Sequence, residues 1–257
     1  MTTPPNLQAF VINLDRSTDR LAAMQSRLAR AQVDWQRVPG VEGRLLDITR
    51  CAEVDVPGYR SWHGKELNPA EVGCYLSHIK AMRLFLDGPW SHALVLEDDA
   101  DFPADFHPLL QQLLAKADDW DIVKLSCFHS GTPVRVASLN APYALAVPLS
   151  RHMNANCIVF NRRAAQTLVD KLLPMRLPYD HALERAWLFG LRLRVVTPTP
   201  CPSETGLTST IGDHPLARIP KPPVWQRLPA MWFRLRTELL RGVFGLLHIA
   251  RAKLGLK

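Results

Sequence analysis

The chain has 257 residues, 47% hydrophobic and 21% charged, a balance that excludes extended disorder and allows a sizeable buried core. Its net charge of +7 is concentrated at one end: residues 218–257 hold nine Lys and Arg against one acid, Glu238, and the remainder holds 22 bases and 23 acids. A neutral body with a basic appendage, and no recognised nucleic-acid motif, argues against nucleic acid as a partner.

Residues 9–14 are a continuous apolar run, which predicts a buried strand that Asp15 and Arg16 break. Ser17 is placed to cap a helix with Leu21, Met24, Leu28 and Ala31 as its buried stripe. Residues 35–38 predict a second strand, and this strand–helix–strand opening predicts an α/β sheet. Residues 45–67, with Pro57, Gly58 and Gly64, read as loop that leaves room for a short helical turn. Asn68, Pro69 and Glu71 mark a sharp helix start, and Gly88-Pro89 marks its end.

Residues 93–96 predict a buried strand that runs into Glu97-Asp-Asp-Ala-Asp101. A helix over 108–117 and a strand over 121–126 follow, then a loop-rich stretch over 130–148. Next come a strand over 156–160, a helix over 162–173, a helix from Pro178 to residue 189 and a strand over 193–196. Eight prolines crowd residues 197–229, and a last helix is predicted over 230–253. The organisation expected is an open α/β sheet flanked by helices over 1–212, a Pro-rich linker over 213–229 and a basic amphipathic helix over 230–257.

Five cysteines at wide spacings, without a CxxC pair, read as reduced and buried thiols. The first nine residues lack the basic and apolar regions of a secretory signal, and the best apolar run near the end, residues 242–250, is too short to span a bilayer. The expected location is cytoplasmic.

The acidic cluster is the strongest chemical signal. Four carboxylates within five residues, Glu97, Asp98, Asp99 and Asp101, close an apolar strand, and ligands of open α/β sheets sit at such strand ends. Crowded carboxylates need a counter-charge, and Mn²⁺ or Mg²⁺ bridging a diphosphate supplies one. Asp99 and Asp101 form a D-x-D pair placed to share an ion, with Glu97 or Asp98 positioning ribose or sugar. A solvated acidic loop is the plain alternative. An ATPase strand end is excluded, because no G-x-x-x-x-G-K-[ST] loop is present.

Around this cluster stand further candidates. Asn13, Asp15, Arg16 and Arg20 follow the first strand, where a nucleotide is contacted; the plain alternative is a charged helix start. Glu71, Ser77 and His78 lie on the Asn68-capped helix, with Glu71 and His78 on one face. Gly73 inside that helix costs about 1 kcal/mol relative to Ala, which a close approach by ligand or backbone would explain. Asp180, at a helix start, is either a cap or the base that activates an acceptor hydroxyl, with Glu71 second for that role. His214 is either a late metal ligand or incidental. In the last helix Trp232, Leu235, Leu239, Val243, Leu246, Leu247 and Ala250 share one side and Arg234, Glu238, Arg241 and His248 the other. That is the pattern of a helix lying on an anionic membrane surface, or of one packed on the body or on a second copy.

These residues, taken together, resemble glycosyltransferase family 25. Val11-Ile-Asn-Leu-Asp-Arg-Ser-Thr-Asp-Arg20 is similar to the family's opening, and Val38-Pro-Gly-Val-Glu-Gly43 to its following turn, with Glu42 in place of Asp. Leu67-Asn-Pro-Ala-Glu-Val-Gly-Cys-Tyr-Leu-Ser-His78 is similar to its G-E-I-G-C-x-L-S-H helix, with Ala70 in place of the first Gly, and Ala93-Leu-Val-Leu-Glu-Asp-Asp99 to its acidic strand end. Cys157-Ile-Val-Phe-Asn-Arg-Arg-Ala-Ala165, Pro178-Tyr-Asp180 and residues 202–211 resemble later elements. Asn154-Ala-Asn-Cys-Ile158 departs from the family's G-T-H-A-Y.

The resemblance implies a GT-A-like fold, a divalent metal and inverting transfer of a hexose, galactose first, from a UDP-sugar. The implied acceptor is a lipooligosaccharide or another cell-surface glycan, and the implied place the inner face of the bacterial inner membrane. The competing readings are a catalytically silent sugar-nucleotide or glycan-binding module, and a peripheral membrane interaction protein whose last helix is the working part.

Overall fold

The computed structural model describes residues 6–127, 131–201 and 222–255. Its elements are β1 (Leu7–Asn13), α1 (Thr18–Arg30), β2 (Trp35–Pro39), α2 (Val56–His63), α3 (Pro69–Asp87), β3 (His92–Glu97), α4 (Phe106–Ala115) and β4 (Ile122–Lys124). They continue as β5 (Pro133–Ser138), β6 (Ala144–Pro148), β7 (Cys157–Asn161), α5 (Arg162–Lys171), α6 (Tyr179–Leu183), β8 (Leu193–Thr197) and α7 (Leu228–Lys253). The eight strands form one sheet in the order β2-β1-β3-β7-β4-β8-β6-β5. β1 pairs in parallel with β2 and β3, whereas β7 is antiparallel to both β3 and β4. This is the expected open α/β sheet flanked by helices, with a helix at its C-terminal end.

The central strands β1, β3 and β7 are largely apolar because both faces of the sheet are covered there. Phe10 and Val95 point into a core shared with α3 and α5, while Ala9, Val11, Leu94 and Leu96 point into a second core with α1 and α4. Asn68 caps α3 through its side chain, which accepts from Ala70 N at 3.0 Å. The five cysteines form no disulfide among the described residues; Cys157 and Cys201 are buried, whereas Cys51, Cys74 and Cys127 are only partly so, against the expectation of buried thiols.

Three local readings are corrected. Within the stretch read as loop, residues 56–63 form α2: Asp55 caps it by accepting from Gly58 N, Pro57 sits in its first turn, and Gly64 ends it at φ 74°. Pro and Gly were start and stop signals there, not loop signals. Residues 133–138 and 144–148 form a hairpin inside the stretch read as irregular. β6 is Ala-rich and owes its strand state to pairing with β8, which no local pattern reveals. The helix expected from Pro178 to 189 is broken: α6 stops at Leu183 and a separate 3₁₀ turn covers Ala186–Phe189.

Helix α7 docks on the body by a mixed face that carries its ion pairs. Arg241 is buried against Glu184 at 2.5 Å, Arg151 reaches Glu238 at 2.7 Å, and Arg234 donates to the His63 carbonyl. Phe233 stacks on Trp62 and Phe244 on Trp187 at the edges of the contact. Among the described residues no helix is long and apolar enough to cross a membrane. Most of the expected linker, and His214 with it, lies outside the described residues.

Candidate active site

The parallel strands β1 and β3 end side by side, and a cleft of about 710 Å³, counting space open to solvent, lies beyond their carboxyl ends. That is the position of a small-ligand site in an open α/β sheet. Three segments line it: the turn after β1 with the start of α1, the Val41–Arg44 turn, and α3 facing the end of β3. Of the residues nominated from sequence, Asn13, Arg16, Arg20, Glu42, Ser77, His78, Glu97, Asp98 and Asp99 all line this cleft.

Asn13 is a hub. Its Nδ2 donates to Asp98 Oδ2 at 2.7 Å and to the Ser17 carbonyl at 2.9 Å, while its Oδ1 accepts from Arg37 Nε at 3.1 Å. Arg20 closes on the other Asp98 oxygen at 2.9 Å. Burial pushes the Asp98 carboxyl up, and Asn13 and Arg20 oppose that without cancelling it. Arg16 pairs with Glu42 at 2.6 Å at the rim, where Arg44 adds a cation that the sequence reading missed. Arg44 lies one residue past the turn motif, and that adjacency was its only signal.

The turn is pinned to α3 backbone to backbone. Ser77 Oγ accepts from Val41 N at 2.8 Å and donates to the Gly73 carbonyl. A Cβ on Gly73 would lie 2.5 Å from the Val41 carbonyl oxygen and 2.7 Å from Gly43 N. Close backbone approach is therefore why glycine stands inside this helix.

Glu97 faces α3. Its Oε1 meets His78 Nε2 at 3.0 Å and Cys74 Sγ at 3.6 Å, and these three side chains can offer ligand atoms within 4.8 Å of one another. Burial pushes Glu97 up, but the His78 contact, Cys74 and Arg20 outweigh it and hold the carboxyl below its usual range. The His78 ring stacks on Tyr179 at 4.1 Å. Asp99 accepts from Asn156 at 3.4 Å; burial and the Glu97 charge push its carboxyl up to about 6.

Three carboxylates thus converge on the cleft with Arg20 as their nearest unshared guanidinium. Burial and the Glu97 charge together raise the Asp99 carboxyl, and a divalent cation with an oxygen donor from Glu97 would relieve that crowding. Cys74 and His78 add softer donors beside Glu97.

The structure does not bring every nominated residue here. Asp15 is exposed and paired with Arg37 at 2.5 Å. Asp101 turns away from the cleft: its Oδ1 accepts from Phe102 N and lies 3.7 Å from Arg27. The chain leaves the extended state at Glu97, so the i, i+2 argument for a shared ion does not hold for Asp99 and Asp101. Glu71 and Asp180 adjoin the cleft without lining it. Tyr59 hydrogen-bonds the Glu71 carboxylate, and burial together with the neighbouring Asp180 charge pushes Glu71 up. Asp180 accepts from His181 N at 2.8 Å. The Glu71 side chain thus serves Tyr59 rather than closing a capping box.

The description "Glycosyltransferase family 25 (LPS biosynthesis protein)" matches residues 6–183. Procollagen galactosyltransferase 1-B of Xenopus laevis is 33% identical over 126 residues, covering 46% of this chain and 21% of that protein. Inactive glycosyltransferase 25 family member 3 of Homo sapiens is 30% identical over 126 residues, again covering 46% and 21%. The chain therefore spans only a minor part of the relatives it matches. Among solved structures, the mannosyltransferase PcManGT from Pyrobaculum calidifontis in complex with GDP-Man and Mn²⁺ aligns at a TM-score of 0.45 and 12% identity, over 100% of this chain and 77% of that one.

Proposed function

The chain belongs to glycosyltransferase family 25, and from that premise we propose that it transfers a hexose, galactose first among the candidates, from a UDP-sugar to a cell-surface glycan such as a lipooligosaccharide. One observation carries the proposal: Arg16, Arg20 and Arg44 share a cleft with Glu97, Asp98 and Asp99 at the carboxyl ends of parallel strands. Cations and carboxylates opposed in that way suit a diphosphate held between guanidinium groups and a metal ion.

In this reading Glu97 and Asp99 hold Mn²⁺ or Mg²⁺, with Cys74 and His78 beside them. The ion, when bound, neutralises charge on the departing diphosphate. Asn13 and Arg20 fix the Asp98 carboxylate toward ribose or sugar hydroxyls. Arg16 and Arg44 reach phosphate once Arg16 leaves Glu42. The Glu71–Asp180 pair stands on the acceptor side. Glu71 is the base, because a carboxyl raised by burial and a like charge takes a proton from a hydroxyl more readily than an ordinary one. That reverses the order in which the sequence nominated the two.

The test is UDP release by purified protein across a panel of UDP-sugars, with and without Mn²⁺, with glycan acceptors and beside Asp99→Asn. Metal-dependent release from one sugar, lost in Asp99→Asn, is the expected result. Several relatives carry "inactive" in their names; UDP-sugar binding without turnover on any acceptor would place this chain with a silent binding module instead. Absence of binding to every UDP-sugar would overturn the reading altogether.

A further inference from the structure

Helix α7 docks by a mixed face and leaves its longest apolar stripe outside the contact. A helix on the surface of a folded body ordinarily buries its apolar stripe. Here the buried positions are Ala230, Thr237, Arg241, Gly245 and Ile249, and Arg241 is held by Glu184 from the body. Leu149 fills the space where a Gly245 side chain would stand, 2.6 Å from its missing Cβ. The contact therefore takes Arg241, small residues and a few apolar side chains, Phe233, Phe244 and Ile249 among them.

The opposite side carries Trp232, Leu235, Leu239, Val243, Leu246 and Leu247, each between 52 and 68% exposed. Over the 16 residues from Trp232 to Leu247 that stripe is about 24 Å long. A continuous apolar surface of this length is not left to water without a partner.

Charge identifies the partner. Arg236 and Lys253 fall on the apolar side by helical spacing, Arg251 lies beside it, and all three are exposed. The helix has a single acid, Glu238, which faces the body and is bound to Arg151. The outer face thus combines apolar residues with a wholly basic fringe. A second copy of the chain would bring the same cations together with no carboxylate across the contact. Anionic lipid matches both parts of the surface, acyl chains for the stripe and phosphate groups for the fringe.

We propose that the outer face of α7 lies in the headgroup region of a bilayer rich in anionic lipid and holds the enzyme body against it. The inference rests on the docking of α7 and stands whether or not the transferase reading does. Flotation of the full chain with vesicles of phosphatidylcholine alone, and with added phosphatidylglycerol, tests it. Binding is expected only with phosphatidylglycerol, weakening with salt. Arg236→Gln and Lys253→Gln should each weaken it roughly fivefold. Leu239→Glu with Val243→Glu should weaken it more than about tenfold, with circular dichroism, thermal transition and UDP-sugar binding unchanged. Failure of the native chain to float with any vesicle overturns the proposal. So does a dimer, seen by sedimentation, that the Leu239→Glu and Val243→Glu variant converts to monomer.

Discussion

Asn13 at the end of β1 donates to Asp98 just past the end of β3 at 2.7 Å, joining two strand ends 85 residues apart. The bond is buried, and Asn13 also holds Arg37 and the Ser17 carbonyl. Asn13→Ala therefore removes a donor from a buried carboxylate and an acceptor from a guanidinium. The expected cost is about 1–3 kcal/mol by denaturant unfolding, with a further rise in the Asp98 pKa. Carboxyl ¹³C titration by NMR reads that rise, and an unmoved Asp98 would sink the assignment of Asn13 as its positioning residue.

Asp99 carries a stability penalty that Asp99→Asn should remove. Below its ordinary value of 3.8 the carboxyl is protonated in the folded and the unfolded chain alike. Between there and about 6 only the folded chain keeps the proton, so native stability falls as pH rises; above about 6 the full penalty applies. Asp99→Asn should match the parent near pH 4 and exceed it by about 1–3 kcal/mol at pH 8, after discount for partial exposure. Unfolding curves at both pH values, without metal, decide this. Added Mn²⁺ should raise the melting temperature of the parent and leave the variant unmoved.

Tyr59 hydrogen-bonds Glu71 and thereby favours its ionised form, against burial and the Asp180 charge. Tyr59→Phe should move the acidic limb of the transfer rate to higher pH. Glu71→Gln should abolish transfer while leaving UDP-sugar binding intact. A pH profile unchanged in Tyr59→Phe would return the role of base to Asp180.

Ala is the better helix former, yet Gly73→Ala should destabilise. The propensity gain of about 1 kcal/mol is set against a Cβ 2.5 Å from the Val41 carbonyl. Relief requires the Val41–Arg44 turn to move away from α3, so donor binding should weaken along with stability. Calorimetric titration with UDP checks the first effect and thermal unfolding the second.

Glu184 is buried between Lys124 and Arg241, and although burial pushes its carboxyl up, those two cations hold it below the usual range. Its contribution is therefore present above its ordinary value near 4.5 and lost as pH falls through the depressed one. Arg241→Ala should cost about 3–5 kcal/mol at neutral pH and raise hydrogen exchange along α7. An unchanged exchange rate would show that the aromatic stacks and the remaining contacts, Arg151 with Glu238 and Arg234 with the His63 carbonyl, hold the helix without Arg241.

Much of the site was legible because its chemistry is local. The carboxylate run after a buried strand, the Asn68-Pro69 start and the arginines after β1 are each contained in a few residues, and strand ends are where an open sheet holds ligands. Asp101 misled because the D-x-D reading assumed an extended backbone beyond Glu97, where the chain turns. The β5–β6 hairpin was hidden because its strands lack alternation and depend on β8. Arg44 and the Tyr59–Glu71 bond were hidden because they join segments that only folding brings together.

The sequence by itself determined the α/β class, the position of the cleft, most of the charges in it and which stripe of the last helix is apolar, since each follows from residue type and spacing along one element. Only the tertiary structure decided which face of that helix meets the body, and which acid turns toward the cleft and which toward an arginine. Those outcomes depend on ion pairs and backbone contacts between elements far apart in the chain, such as Arg241 with Glu184 and Gly73 with Val41, and no local pattern records the partner.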